Sequence, residues 1–203
     1  VLQESIIMLA ERAEQDSDVV LSSCASNADF SRVVRRIKPI DEVIGTDNVV
    51  HLALTPQDDS IAEIVHAWSG SLRIYDMEIS TGPIVPFRAV DHVSREGVVP
   101  FTHAPLLWMQ NVKPMRCEWP VQHKAQYFRI NGAEKLLLPN QNYVLLRRFS
   151  AKEERQRLTA APYLAYLDSP LIGIENHLNY IYRPNGELTE DETRGLAMLL
   201  NSS

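Results

Sequence analysis

Apolar positions along this chain switch between helical and strand period several times, and the switches mark out its elements. In VLQESIIMLAERAEQ (1–15), Leu2, Ile6, Leu9 and Ala13 fall at helical spacing, which predicts an amphipathic helix. DVVLSSCAS (18–26) predicts a strand, residues 27–47 an irregular stretch, and the alternating, β-branched NVVHLAL (48–54) a second strand. DDSIAEIVHAW (58–68) returns to helical period, with Ile61, Ile64, Val65 and Trp68 expected inward, Asp58 or Asp59 at the cap and Gly70 past the end.

From about residue 71 the period shortens. SLRIYDMEIS, PIVPFRAV, APLLWMQNV, KAQYFRI, KLLLP, NYVLLRRF and HLNYIYR read as short strands. Gly82–Pro83, Pro86, Gly97, Pro100, Pro105, Pro114, Pro120 and Gly132 punctuate them, and proline demotes several to edges or loops. Near the end, Thr189 with Glu192 three residues on forms a capping box ahead of Leu196, Leu199 and Leu200. The expected fold class is α+β: an irregular, twisted antiparallel β-rich domain with flanking helices. No internal repeat or low-complexity tract interrupts it.

Charge sharpens this picture because it is unevenly placed. The net charge is −6. Residues 1–100 hold 8 Lys/Arg against 16 Asp/Glu, whereas residues 110–165 hold 10 against 4. A local cationic patch, rather than the total, governs contact with phosphate. At 45% hydrophobic and 23% charged the chain has enough apolar content for a core. No apolar run reaches the ~20 residues that span a bilayer. Cys24 and Cys117, in unrelated contexts, are expected to be free thiols, which places the protein in the cytoplasm. Val1 enters a helical pattern without a start Met, a cap or a basic leader, so a piece of a longer protein is expected.

Chemistry-bearing motifs are few. GxGxxG, a Walker A loop and an Asn/Asp-Pro-Pro-aromatic tetrapeptide do not occur, and the eight glycines are scattered. The six histidines show no HxH or HxxxH spacing, and ENHLN (175–179) lacks the second ligand cluster of a metal-dependent nuclease. No cofactor is expected in this chain.

Surface chemistry is more telling. RRFSAKEERQR (147–157) gathers Arg147, Arg148, Lys152, Arg155 and Arg157 around a short helix start, with Ser150 and Glu153 as a capping box. Cations beside a helix N-terminus suit phosphate. Self-neutralisation by Glu153 and Glu154 is the competing reading. In HLNYIYR, period two sends His177, Asn179, Ile181 and Arg183 to one face and Leu178, Tyr180 and Tyr182 to the other. Asn176, His177 and Asn179 are candidates for base edges, or for satisfying buried backbone groups. Arg88, after the Thr81–Gly82–Pro83 turn, and Lys113, beside the aromatic residues of WMQNVKP and EWP, complete the candidate DNA-contact set.

The strings VLQE, STGPIVPFR, EWP, NYVLLRRFSAKEERQRL, IGIENHLNYI and GLAMLLNSS, in this order, resemble the C-terminal part of N6-adenine DNA methyltransferases of restriction–modification systems. The resemblance spans nearly the whole chain. It implies that residues 1–55 are the tail of a catalytic domain and a connector, and residues 56–203 a target recognition domain for double-stranded DNA. Arg147, Arg148, Lys152 and Arg155 match its RRFSxKEE string; Asn176, His177 and Asn179 match its ENHLNY string. It further implies a preceding domain that binds S-adenosylmethionine and acts on a flipped adenine. The family continues past the segment that ends here, so part of the recognition surface is expected to lie beyond. The alternative function is a protein-interaction module that docks a partner subunit without touching DNA.

Overall fold

The computed structural model describes residues 7–9, 17–24, 30–45, 49–100, 102–150, 154 and 156–202. Two compact units divide the chain, residues 1–69 and residues 70–203. Of the helix expected over 1–15, only residues 7–9 are described, and they carry no regular structure.

In the N-terminal unit, β1 (Asp18–Ser23) and β2 (Val34–Pro39) form an antiparallel pair, from Asp18 opposite Pro39 to Ser23 opposite Val34. A short α1 (Ile40–Val43) follows, and then α2 (Pro56–His66). The start of α2 is written locally. Thr55 accepts from the Asp58 N–H at 3.2 Å, Asp58 accepts from the Thr55 N–H at 2.7 Å, and Pro56 sits where no N–H is needed.

Three expectations fail in this unit. The stretch expected to be irregular holds β2 and α1. The strand expected over 48–54 reduces to one bridge between Ile44 and Val50. One carbonyl there, that of Ala53, is satisfied by the Arg36 side chain at 2.8 Å instead of by a ladder partner. The apolar residues of α2 do not face inward: Ile61 is 60% exposed and Trp68 69%. Leu21 and Val43 are the buried apolar residues described in this unit, too few to cover a helix face.

The C-terminal unit contains β3 (Glu78–Thr81), β4 (Val93–Ser94), β5 (His103–Leu107), β6 (Val112–Lys113), β7 (Arg116–Cys117), β8 (Tyr127–Arg129), β9 (Leu138–Pro139), β10 (Asn142–Arg147), β11 (Ala160–Leu164), β12 (Leu171–Ile174), β13 (Leu178–Tyr182) and α3 (Glu190–Leu200). The fold class is α+β. One sheet runs β11-β10-β13-β3, all antiparallel. A second runs β4-β8-β5-β12-β9, antiparallel except where β12 lies parallel to β5. SLRIYDMEIS yields a strand only at its end, because residues 72–75 turn as a 3-10 helix, and PIVPFRAV holds a 3-10 turn at Pro86–Arg88.

The first sheet is covered on both faces. Tyr143, Leu145, Tyr163, Leu178 and Tyr180 meet Leu107, Ile172 and Ile174 of the second sheet. On the opposite face Val144, Leu146, Ala160 and Ile181 pack with Ala197 of α3. This corrects the expected polar face of 177–183. Ile181, assigned to that face, is only 2% exposed, because a strand between two layers is apolar on both sides. α3 starts with the expected box: Glu192 N–H donates to Thr189 at 3.2 Å, and Thr189 N–H to Glu192 at 2.8 Å. Among the described residues no helix is long and apolar enough to cross a membrane.

Candidate nucleic-acid interface

The turn between β12 and β13, Glu175–Asn176–His177, is stitched to the segment after β3. Gly82 N–H donates to Leu178 C=O at 2.8 Å, Asn176 N–H to Ile84 C=O at 2.8 Å, and Ile84 N–H to Ile174 C=O at 3.1 Å. A Cβ on Gly82 would stand 2.3 Å from the Glu175 carbonyl oxygen. The Thr81–Gly82–Pro83 stretch therefore needs glycine for close approach of two backbones.

The basic turn closes on the same place. Arg148 N–H donates to His177 C=O at 2.9 Å, and the Arg148 guanidinium reaches Asn176 C=O at 3.3 Å. The guanidinium also lies 5.4 Å from the Phe149 ring centre, and Phe149 meets the His177 ring edge-on at 5.5 Å. His177 Nδ1 is hydrogen-bonded to Glu175 Oε1, and Glu175 Oε2 accepts from the Met109 N–H at 3.3 Å. Glu175 is 3% exposed, while about half of the His177 side chain is open to solvent. Asn179 Oδ1 accepts from the Thr81 hydroxyl at 3.0 Å.

Lys113 and Arg147 form a separate group. Arg147 Nε donates to Val112 C=O at 2.8 Å. Lys113, Arg147, Glu154, Gln156, Thr159 and Asn201 line a depression of about 870 Å³. Asn201 pins its wall by bonding both backbone groups of Ala160, at 3.1 and 2.8 Å.

The candidate residues thus fall into sets. Arg148, Asn176, His177 and Asn179 come together around one turn, with Thr81 of the expected Thr81–Gly82–Pro83 turn and with Glu175 and Phe149, to which the sequence assigned no role. Lys113 and Arg147 share the depression. Arg88 lies 5.5 Å from the Phe87 ring centre, and among the described residues no contact joins it to either group. Lys152 and Arg155 lie outside the described residues, as does Glu153 of the expected capping box, and Arg157 is exposed. The aromatic residues near Lys113 are structural. Trp108 is buried and donates to Ala125 C=O at 2.6 Å, and the buried Asn111 side chain accepts from the Trp108 N–H at 2.6 Å.

Two cations of the N-terminal unit are already paired. Lys38 lies 2.6 Å from Asp59, and Arg36 pairs with the same carboxylate. Those two cations, Arg36 first, hold the Asp59 carboxyl below its ordinary range.

Aligned over its whole length, the chain is 30% identical to the Type II methyltransferase M.PstI of Providencia stuartii and 29% identical to the Type II methyltransferase M.BsuBI of Bacillus subtilis. The chain is homologous to Type II methyltransferases. It spans 41% of the length of each of these relatives and matches their C-terminal part. No protein-family model and no solved structure matches it. The resemblance stated from the motifs and the homology agree on a methyltransferase, and they agree on its C-terminal region.

Proposed function

We propose that this chain is the DNA-recognition part of a restriction–modification methyltransferase that modifies the N6 amino group of adenine. The single observation that carries the reading is the convergence of the basic turn with the Asn/His turn at Arg148. One backbone hydrogen bond and one guanidinium contact join segments that are 28 residues apart. Cationic groups there and in the Lys113–Arg147 depression would hold phosphates, while Asn176, His177 and Asn179 would face base edges. Residues 1–55 would be the end of the catalytic domain, with residues 56–203 as the recognition domain. The exposed apolar face of α2 fits such an arrangement, since the described residues of its own unit do not cover it. S-adenosylmethionine would bind in the preceding catalytic domain, and the enzyme would work in the cytoplasm.

Titration of labelled duplex DNA by fluorescence anisotropy, over a range of salt concentrations, tests the proposal. Arg148→Ala and Lys113→Ala are each expected to weaken binding to all sequences alike and to flatten the salt slope by about one unit. Duplex binding that ignores salt, or a slope unchanged in both variants, would remove the phosphate-holding role.

A further inference from the structure

We infer that Glu175 and His177 form a base-reading dyad, in which Glu175 positions the His177 ring so that its Nε2 is presented as a hydrogen-bond acceptor to an amino group on a base edge. This rests on the DNA-recognition reading above and deepens it.

The geometry supplies each step. A carboxylate can only accept, so the ring nitrogen facing it, Nδ1, carries the proton. In the neutral ring Nε2 is then the bare nitrogen. It has no hydrogen-bond partner among the described residues, and the half-exposed side chain leaves it open to an incoming ligand. The carboxylate cannot swing away, because the Met109 N–H holds its second oxygen and the surrounding turn buries it. Phe149 fixes the ring from the edge, and Arg148 lies against Phe149 with its charge beside the same spot. A buried acid that orients a half-exposed histidine next to a cation is more than turn chemistry needs. The turn's own backbone bond, Leu178 N–H to Glu175 C=O at 3.0 Å, already closes it, and Glu175 N–H to Leu107 C=O, also 3.0 Å, ties it to β5. In the major groove an acceptor at Nε2 selects adenine through N6 or cytosine through N4, and rejects guanine and thymine, which present acceptors there.

Met109 makes the idea testable by a polarity switch. In Glu175→Gln the Met109 N–H requires the amide oxygen at the Oε2 position, so the amide NH₂ faces Nδ1. The proton moves to Nε2, and the acceptor becomes a donor. The experiment selects binding sites for the full chain from a pool of random duplexes, then repeats the selection with His177→Ala and Glu175→Gln, with circular dichroism confirming that each variant is folded. The wild type is expected to require adenine or cytosine at one position. His177→Ala should lose about tenfold discrimination at that position alone. Glu175→Gln should shift the preference there toward guanine or thymine. Removing the amino group of that base should weaken the wild type about tenfold and leave His177→Ala unaffected. If His177→Ala leaves every position of a selected site unchanged, the dyad does not read bases although the DNA reading stands. If the folded wild type enriches no sequence, the DNA reading fails and takes the dyad with it. Should Glu175→Gln not fold, the His177→Ala selection and the amino-deleted base still decide between these outcomes.

Discussion

Gly82→Ala tests the joint on which the candidate interface is built. An alanine Cβ at this position would lie 2.3 Å from the Glu175 carbonyl oxygen, 2.7 Å from that of Ile174 and 2.8 Å from the Glu175 carbonyl carbon. All three are backbone atoms, so no side chain can rotate out of the way. Relief requires the β12–β13 turn or the segment after β3 to move by several tenths of an ångström. That movement strains the Gly82–Leu178, Ile84–Ile174 and Asn176–Ile84 hydrogen bonds together. Overpacking of this kind costs about 1–3 kcal/mol, which for a unit of this size lowers the melting temperature by roughly 3–12 °C. Gly195→Ala, in the exposed middle of α3 with nothing within 4 Å of its Cβ, serves as the control. It should raise stability by about 0.5–1 kcal/mol through helix propensity. Thermal unfolding followed by circular dichroism measures both. Duplex affinity of folded Gly82→Ala, measured well below its melting temperature, should also fall, because the turn bearing His177 has moved. A Gly82→Ala protein that melts with the wild type would refute the close approach and everything built on it.

Three further outcomes follow from local chemistry. The Arg183 guanidinium, 2.8 Å away, and then the Thr189 N–H hold the Glu192 carboxyl down to about 2. The stability its charge supplies is complete above the ordinary value of 4.5 and disappears as pH falls to about 2. Glu192→Gln should therefore be less stable than the wild type at pH 6, with the gap closing between pH 4.5 and 2 in acid unfolding; a gap that persists at the lowest pH contradicts the pairing. Thr189→Ala should cost about 1 kcal/mol in urea unfolding through loss of the helix cap, and a neutral effect would contradict the box. Burial pushes the Cys117 thiol up to about 11, while Cys24 is exposed, so a thiol reagent at pH 8 should find one fast and one slow cysteine; two equally fast reactions would contradict the burial.

Legibility from sequence followed how local each device is. The start of α3 could be read because Thr189 and Glu192 complete their box within three residues. β10 and β13 could be read because their apolar runs are dense. β11 and β12 were not read. AAPYL carries Pro162, which is tolerated because β11 lies at the sheet's edge, and LIGI owes its glycine to Ile84, whose Cδ1 a Cβ at Gly173 would approach to 2.6 Å. The inward face assigned to α2 failed because helical period says which residues want cover and nothing about whether the same unit provides it. At the candidate site, Asn176, His177 and Arg148 could be named from motif and charge. Glu175 and Met109 could not, since a buried carboxylate beside a histidine arises from a turn folding over a distant backbone N–H, 66 residues away.

Hydrogen exchange of the chain with and without a bound duplex tests the central claim most directly, because it reports which backbone segments the DNA covers. The account predicts added protection at residues 80–84, 147–150 and 174–179 together, with none on α2. Protection confined to α2 and β1–β2, or absent while DNA is bound, would contradict it.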